Sequence, residues 1–151
     1  MNSRAAGIFA AVRKSPPFDQ SFEQLFFPAG LLGFSASRHY KLERFRPEDD
    51  SESPFFMLQA IDQDLSFPLI HPASIAMDFR YPVTSELLNA LGATSAQDLM
   101  ALLIVTLREP VEDITVNLKG PVIINVTKGL GLQLVIEQNE LHHPLLPSAS
   151  R

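Results

Sequence analysis

The chain has 151 residues, of which 46% are hydrophobic and 19% are charged, and its net charge is -5. This length fits a single domain with its own hydrophobic core, and the absence of cysteine excludes disulfides and thiolate catalysis. The acidic balance argues against direct binding to nucleic acid, because such binding depends on lysine and arginine neutralising phosphates. No apolar run approaches the roughly 20 residues that cross a bilayer, so we expect no membrane span.

The N-terminal segment carries no strong structural signal. Residues 5–12 are weakly apolar, and Arg13 and Lys14 follow where a secretory signal would place a small-residue cleavage site, so export is not expected. Pro16 and Pro17 remove two backbone donors from any strand there. We therefore expect a flexible or poorly matched segment over residues 1–20, one domain over 21–146, and a disordered tail over 147–151.

Short apolar segments separated by proline and glycine predict a mostly β chain with eight or nine strands. Pro28, Gly30 and Gly33 indicate turns near the start of the domain. Asp62 and Asp64 flank a hairpin connection between two apolar runs. The candidate strands are, in chain order, residues 25–27, 40–45, 55–61, 65–70, 75–81, 99–107, 114–119, 122–126 and 132–136.

One short helix is well indicated by its capping residues. Thr84 can cap its N-terminus, apolar residues recur over 87–91, and Gly92 follows. Ser95 and Asp98 have the spacing of a second cap. Because closing a sheet on itself removes exposed strand edges, these elements predict an antiparallel β-barrel-like single domain with one short helix.

Motifs for catalysis, metal binding and cofactor binding are weak in this sequence. Ser35 lacks the second glycine of a nucleophile elbow, and Gly129 and Gly131 are too close together for a dinucleotide fingerprint. We predict no catalytic residue, no metal and no cofactor. The alternative of a metal-assisted enzyme stays open, and its candidate ligands are His71, Asp62 and His143.

Two surface features suit a protein partner instead. Phe26, Phe34 and Phe56 could form an exposed anchor patch, although phenylalanine at such spacing usually belongs to a core. The acidic segment at residues 48–52 could attract a basic partner, although such a segment is usually a solvated loop.

Several motifs occur in the same order as in a known protein family, and they indicate a more specific function. The motifs lie at residues 27–34, 54–62, 65–72, 102–107, 117–125 and 143–145. With them the chain resembles the FliW family of flagellar assembly factors. The resemblance implies a cytoplasmic, β-barrel-like protein that binds flagellin and, when free of it, binds CsrA. CsrA is an RNA-binding regulator, and its capture relieves repression of flagellin synthesis.

The family motifs do not say which of their residues are contacts and which hold turns, so we predict that division here. The partner-binding positions are Phe34, Phe56, Gln59, Asp62, Asn117, Lys119, Pro121 and Asn125, and the structural turns are Pro28, Gly30, Gly33 and Gly120. Met57 replaces an aromatic residue that is usual in the family, and the loop at 46–53 is longer than typical. A flagellin chaperone without CsrA binding is therefore one alternative, and a barrel domain with unrelated partners is another. We expect a monomer.

Overall fold

The computed structural model describes residues 9–11, 22–44, 54–75 and 78–146. These residues contain one α-helix, three 3-10 turns and eleven strands. The strands are β1 (Phe9–Ala11), β2 (Phe22–Phe26), β3 (His39–Arg44), β4 (Phe55–Ala60), β5 (Ser66–Ile70), β6 (Arg80–Pro82), β7 (Leu99–Thr106), β8 (Thr115–Val116), β9 (Val122–Asn125), β10 (Leu130–Gln133) and β11 (His143–Pro144). The helix is α1 (Ser85–Ala90), and the 3-10 turns are Pro72–Ser74, Ala96–Asp98 and Val111–Asp113.

Seven of the strands close into a barrel. They follow the order β7-β5-β4-β3-β2-β10-β9, and β9 pairs with β7 to complete the ring. All neighbours are antiparallel except β2 and β10, which run parallel and are paired through Phe26 and Leu130. The predicted antiparallel barrel is confirmed in its architecture, with the difference that one parallel pair makes it mixed.

The barrel interior is filled by alternate residues of its strands. Its largest members are Tyr40, Phe27 and Phe56, which are almost completely inaccessible to solvent. Phe27 also explains the glycine at 131, because a Cβ atom at Gly131 would overlap the Phe27 ring. The interior is therefore packed with side chains.

A second apolar cluster lies outside the barrel and is shared with α1. Strand β7 supplies Met100 and Leu102 to the interior and Leu103 to the outer cluster, so both of its faces are buried. Helix α1 begins after Thr84, whose Oγ1 accepts from the Leu87 amide at 3.1 Å. The predicted capping residues are thus confirmed, and the helix covers one wall of the barrel.

Three predicted strands have different limits in the structure. The candidate at 75–81 contains only β6, which pairs with β1, and residues 76–77 lie outside the described residues. The candidate at 114–119 shortens to β8, because the Asn117 side chain accepts from the backbone amides of Lys119 and Gly120 and forms a turn. The candidate at 132–136 begins earlier, at Leu130, and ends at Gln133, and strands β1 and β11 were not predicted.

Several expectations concern segments that the structure does not describe. The acidic residues 48–52 and the tail at 147–151 are outside the described residues, and most of the segment 1–20 is too. The domain limits therefore stay predictions. None of the helices among the described residues is long and apolar enough to cross a membrane.

Candidate protein-binding surface

Four segments surround one end of the barrel, and we call them together the rim: residues 28–38, 61–65, 117–121 and 133–135. Hydrogen bonds connect three of them. The Leu32 amide donates to Gln133 Oε1 at 2.8 Å, and Gln133 Nε2 donates to the Gly120 carbonyl at 2.9 Å. At the fourth, the Ile61 amide donates to the His39 carbonyl at 2.9 Å. Three of the four rim segments are therefore connected by hydrogen bonds, and the fourth is bonded to the start of β3.

The first rim segment folds as a series of tight turns. The Gly30 amide donates to the Phe27 carbonyl at 2.8 Å, and Gly30 has a φ of 66°. A Cβ atom there would lie 2.7 Å from the Phe34 carbonyl oxygen, so only glycine fits. The next turn brings the Phe34 amide to the Leu31 carbonyl at 2.8 Å, and the Leu31 side chain enters the barrel. The turns predicted at these glycines are present.

This segment presents apolar side chains to solvent. Leu32 is 57% exposed and Phe34 is 42% exposed. The Phe34 ring stands edge-on to Phe67 with centroids 5.3 Å apart, which anchors it over the mouth of the barrel. Ile61 and Val135 in two other rim segments are also exposed. Large apolar side chains held on an ordered surface are typical of protein-protein interfaces.

Charged groups flank these apolar residues. Lys119 Nζ lies 3.2 Å from Glu137 Oε1 and donates to the Glu137 carbonyl at 3.1 Å, so its charge is partly compensated. Asp62 is exposed in the β4–β5 turn. The pKa of Tyr40 is raised, first by burial of its hydroxyl in the barrel and then by the nearby Asp62 carboxylate.

Four of the eight predicted partner-binding residues are buried or hold a turn of the barrel, and do not face solvent freely. Phe56 is only 1% exposed and packs under the Arg44 guanidinium, 4.9 Å from its ring centroid, so the expectation that it is an exposed anchor is wrong. Pro121 is buried, and Asn117 holds the turn described above. Asn125 is 2% exposed. Three of these four residues are therefore buried, and Asn117 is half-buried in its turn.

Asn125 fixes the turn between β9 and β10. Its Nδ2 donates to the Leu91 carbonyl at 2.8 Å, and its Oδ1 accepts from the amides of Thr127 and Lys128 at 3.1 and 3.3 Å. A buried amide with this many partners stabilises both α1 and the turn. Asn125 thus connects the helix to the barrel.

The other four predicted residues are accessible at least in part. Phe34, Asp62 and Lys119 belong to the rim, and Gln59 lies half-buried near the end of β4, opposite Ser66 and Lys41. Sequence reasoning missed Gln133, which connects two rim segments. A glutamine at the end of a strand carries no signal for such a role, because surface glutamines are common in that position.

The three candidate metal ligands do not form a metal site. Within the described ranges, no group of three or more histidine and carboxylate side chains could hold an ion. His71 is buried, its Nδ1 accepts from the Ala73 amide at 3.2 Å, and burial followed by the Arg44 charge lowers the pKa of His71 to about 4. His143 Nδ1 contacts Glu140 Oε1 at 2.7 Å instead.

Comparison with known proteins identifies the family. A family model described as FliW protein matches residues 18–145. The chain belongs to the FliW family. The flagellar assembly factor FliW of Caldicellulosiruptor saccharolyticus is 37% identical to it over 114 residues, which cover 75% of this chain and 72% of that protein. FliW of Natranaerobius thermophilus is 37% identical over 123 residues, or 79% of each chain.

A solved structure of a FliW protein has the same fold. The crystal structure of the flagellar assembly factor FliW superimposes with a TM-score of 0.73 at 29% identity, over 83% of this chain and 87% of that one. The predicted resemblance to the FliW family is confirmed, and the architecture described above matches that of the solved FliW structure.

Proposed function

We propose that this chain is a non-catalytic, cytoplasmic flagellar assembly factor that binds flagellin and, when free of flagellin, binds CsrA and relieves repression of flagellin synthesis. Membership in the FliW family supports the flagellar role, and relatives of similar length are described as flagellar assembly factors. The observation that carries the binding role is the rim, where Leu32 and Phe34 are exposed on hydrogen-bonded loops.

The rim suits an apolar partner segment. Phe34 supplies an aromatic anchor that is already oriented by Phe67, so little side-chain entropy is lost on binding. An amphipathic helix of flagellin could lay its apolar face on such a surface. We propose Phe34, Gln59, Asp62 and Lys119 as contact residues, and we propose that Phe56, Asn117, Pro121 and Asn125 support the surface indirectly.

We expect CsrA to bind through contacts between charged groups, unlike the apolar contacts proposed for flagellin. An RNA-binding protein presents a basic surface, and this chain carries a net charge of -5. Complementary charge accelerates association and makes the affinity depend on salt. We therefore expect CsrA binding to weaken as ionic strength rises, whereas flagellin binding through the rim should change little.

Titration calorimetry with purified flagellin and CsrA, singly and then in competition, tests the proposal. We expect each partner to bind the monomeric chain alone, and flagellin to displace CsrA. Binding of flagellin without CsrA would support the narrower function of a flagellin chaperone. Absence of binding to either partner at micromolar concentration would remove the proposal.

A further inference from the structure

A cleft of about 490 Å³ lies on the outer wall of the barrel, where β2, β3 and the β9–β10 turn meet. Its size is within the range of small-ligand sites. The residues used below are Phe26, His39, Ile61, Lys128 and Gly129, all of which line it. The cleft lies at the parallel β2–β10 pair, where the Phe26 amide donates to the Gly129 carbonyl at 2.8 Å.

One half of the cleft is apolar and aromatic. Because Tyr40 points into the barrel, its neighbour His39 points outward, where its ring contacts Phe26 with centroids 5.0 Å apart. Ile61 is exposed at the end of β4 and completes this wall. These three side chains offer a surface for one apolar side chain of a ligand.

The other half carries a positive charge. Lys128 lies on the turn that Asn125 holds with three hydrogen bonds, one of them between the Gly129 amide and the Asn125 carbonyl at 2.9 Å. The Lys128 stem passes close to Gly92, since its Cγ lies 3.7 Å from the place of a Cβ there. Among the described residues Lys128 has no ion-pair partner, and no carboxylate lines the cleft.

From this arrangement we propose that the cleft binds the carboxyl-terminal residue of a peptide chain that ends in an apolar side chain. The apolar side chain packs against Phe26, His39 and Ile61, and the terminal carboxylate pairs with the Lys128 ammonium. Charge complementarity favours this ligand over a basic or neutral one. The cleft shares Ile61 with the rim, but its other residues named here lie on the outer wall, so the proposal is independent of the flagellar partners.

The probe peptides are acetyl-Gly-Gly-Leu with a free carboxylate and the same peptide with a C-terminal amide. Each is titrated into the full chain while backbone amide signals are followed by NMR. We expect the free acid to shift the signals of Lys128, Gly129 and His39 and to bind at least about fivefold more tightly than the amide. The added affinity should decrease with salt.

Matched substitutions separate the two halves of the cleft. Lys128→Gln should reduce the preference for the free acid, whereas Lys41→Gln should not, because Lys41 lies outside the cleft beside Glu43 at 3.9 Å. Ile61→Ser should weaken both peptides about threefold or more, whereas Val111→Ser, at another exposed position, should change neither. Lys128, Ile61 and Val111 are exposed and Lys41 is half-buried, so we expect all four variants to fold, and an NMR spectrum that changes only near the substitution checks this.

Equal affinity for acid and amide, or unchanged binding in Lys128→Gln, would overturn the proposal. So would the absence of shifts at roughly 10 mM peptide, a concentration that detects even very weak binding. The test uses neither flagellin nor CsrA, so its failure leaves the function proposed for the rim intact.

Discussion

The barrel interior and the rim draw on the same motifs but use them differently. The motif at residues 27–34 places Phe27 inside the barrel and Phe34 at the surface. The motif at 54–62 places Phe56 inside and Asp62 at the surface. Residues of one motif therefore divide between stabilising the barrel and facing a partner. Loss of activity on mutation has two possible causes, which measurements of stability and of affinity can distinguish.

The largest expected difference in stability is between two phenylalanines of one motif. Phe27→Ala should lower the free energy of unfolding by about 3–5 kcal/mol, because it leaves a cavity in a filled core. Phe34→Ala should cost less, about 1 kcal/mol, because Phe34 is 42% exposed and leaves no enclosed cavity. Urea denaturation measures both. Similar costs for the two variants would contradict the assignment of interior and rim.

The end of the barrel opposite the rim should respond to pH through His71, which follows β5. Its pKa of about 4 in the folded state is below the ordinary value of 6.5, so the unfolded chain takes up the proton first. Stability should therefore fall as the pH decreases from about 6.5 to about 4, by on the order of 3 kcal/mol, and level off below that.

Unfolding measured across this pH range checks the His71 prediction. His71→Asn keeps a side-chain oxygen that can accept from the Ala73 amide and should remove most of this pH dependence. The matched variant His39→Asn changes an exposed histidine and should leave the dependence in place. The prediction fails if His71→Asn and the unsubstituted chain lose stability equally.

A smaller effect is expected at the two asparagines of the motif at residues 117–125. Asn125→Ala leaves the Leu91 carbonyl and two turn amides without their partner and should cost about 1–3 kcal/mol. Asn117→Ala loses two hydrogen bonds at a half-buried turn and should cost about 1 kcal/mol. Thermal unfolding compares them. If Asn117→Ala lowered the unfolding free energy more than Asn125→Ala, the burial of each asparagine would not determine how much its hydrogen bonds stabilise the fold.

Local patterns predicted much of the fold. Thr84 marked the start of α1, and Asp62 marked the β4–β5 turn, since capping and turn preferences act between residues close in sequence. The parallel pairing of Phe26 with Leu130 could not be predicted this way. This pairing joins segments that are far apart in the sequence, and the preferences of neighbouring residues do not determine it.

The binding surface was less predictable than the fold. Phe34 and Phe56 have the same side chain, and each lies in a family motif, yet one is exposed and the other is buried. Only the packing of the barrel around each ring decides this. The bridge made by Gln133 likewise depends on where the first rim segment folds back.

The most direct test of the rim as the partner-binding surface is the affinity of the double variant Leu32→Ser/Phe34→Ser for flagellin, measured by calorimetry. Val111→Ser is the control, because Val111 is 55% exposed and lies outside the rim. We predict that the double variant stays folded and binds flagellin at least about tenfold more weakly, as expected when anchor residues are removed, while the control binds normally. Unchanged affinity in a folded double variant would contradict the account.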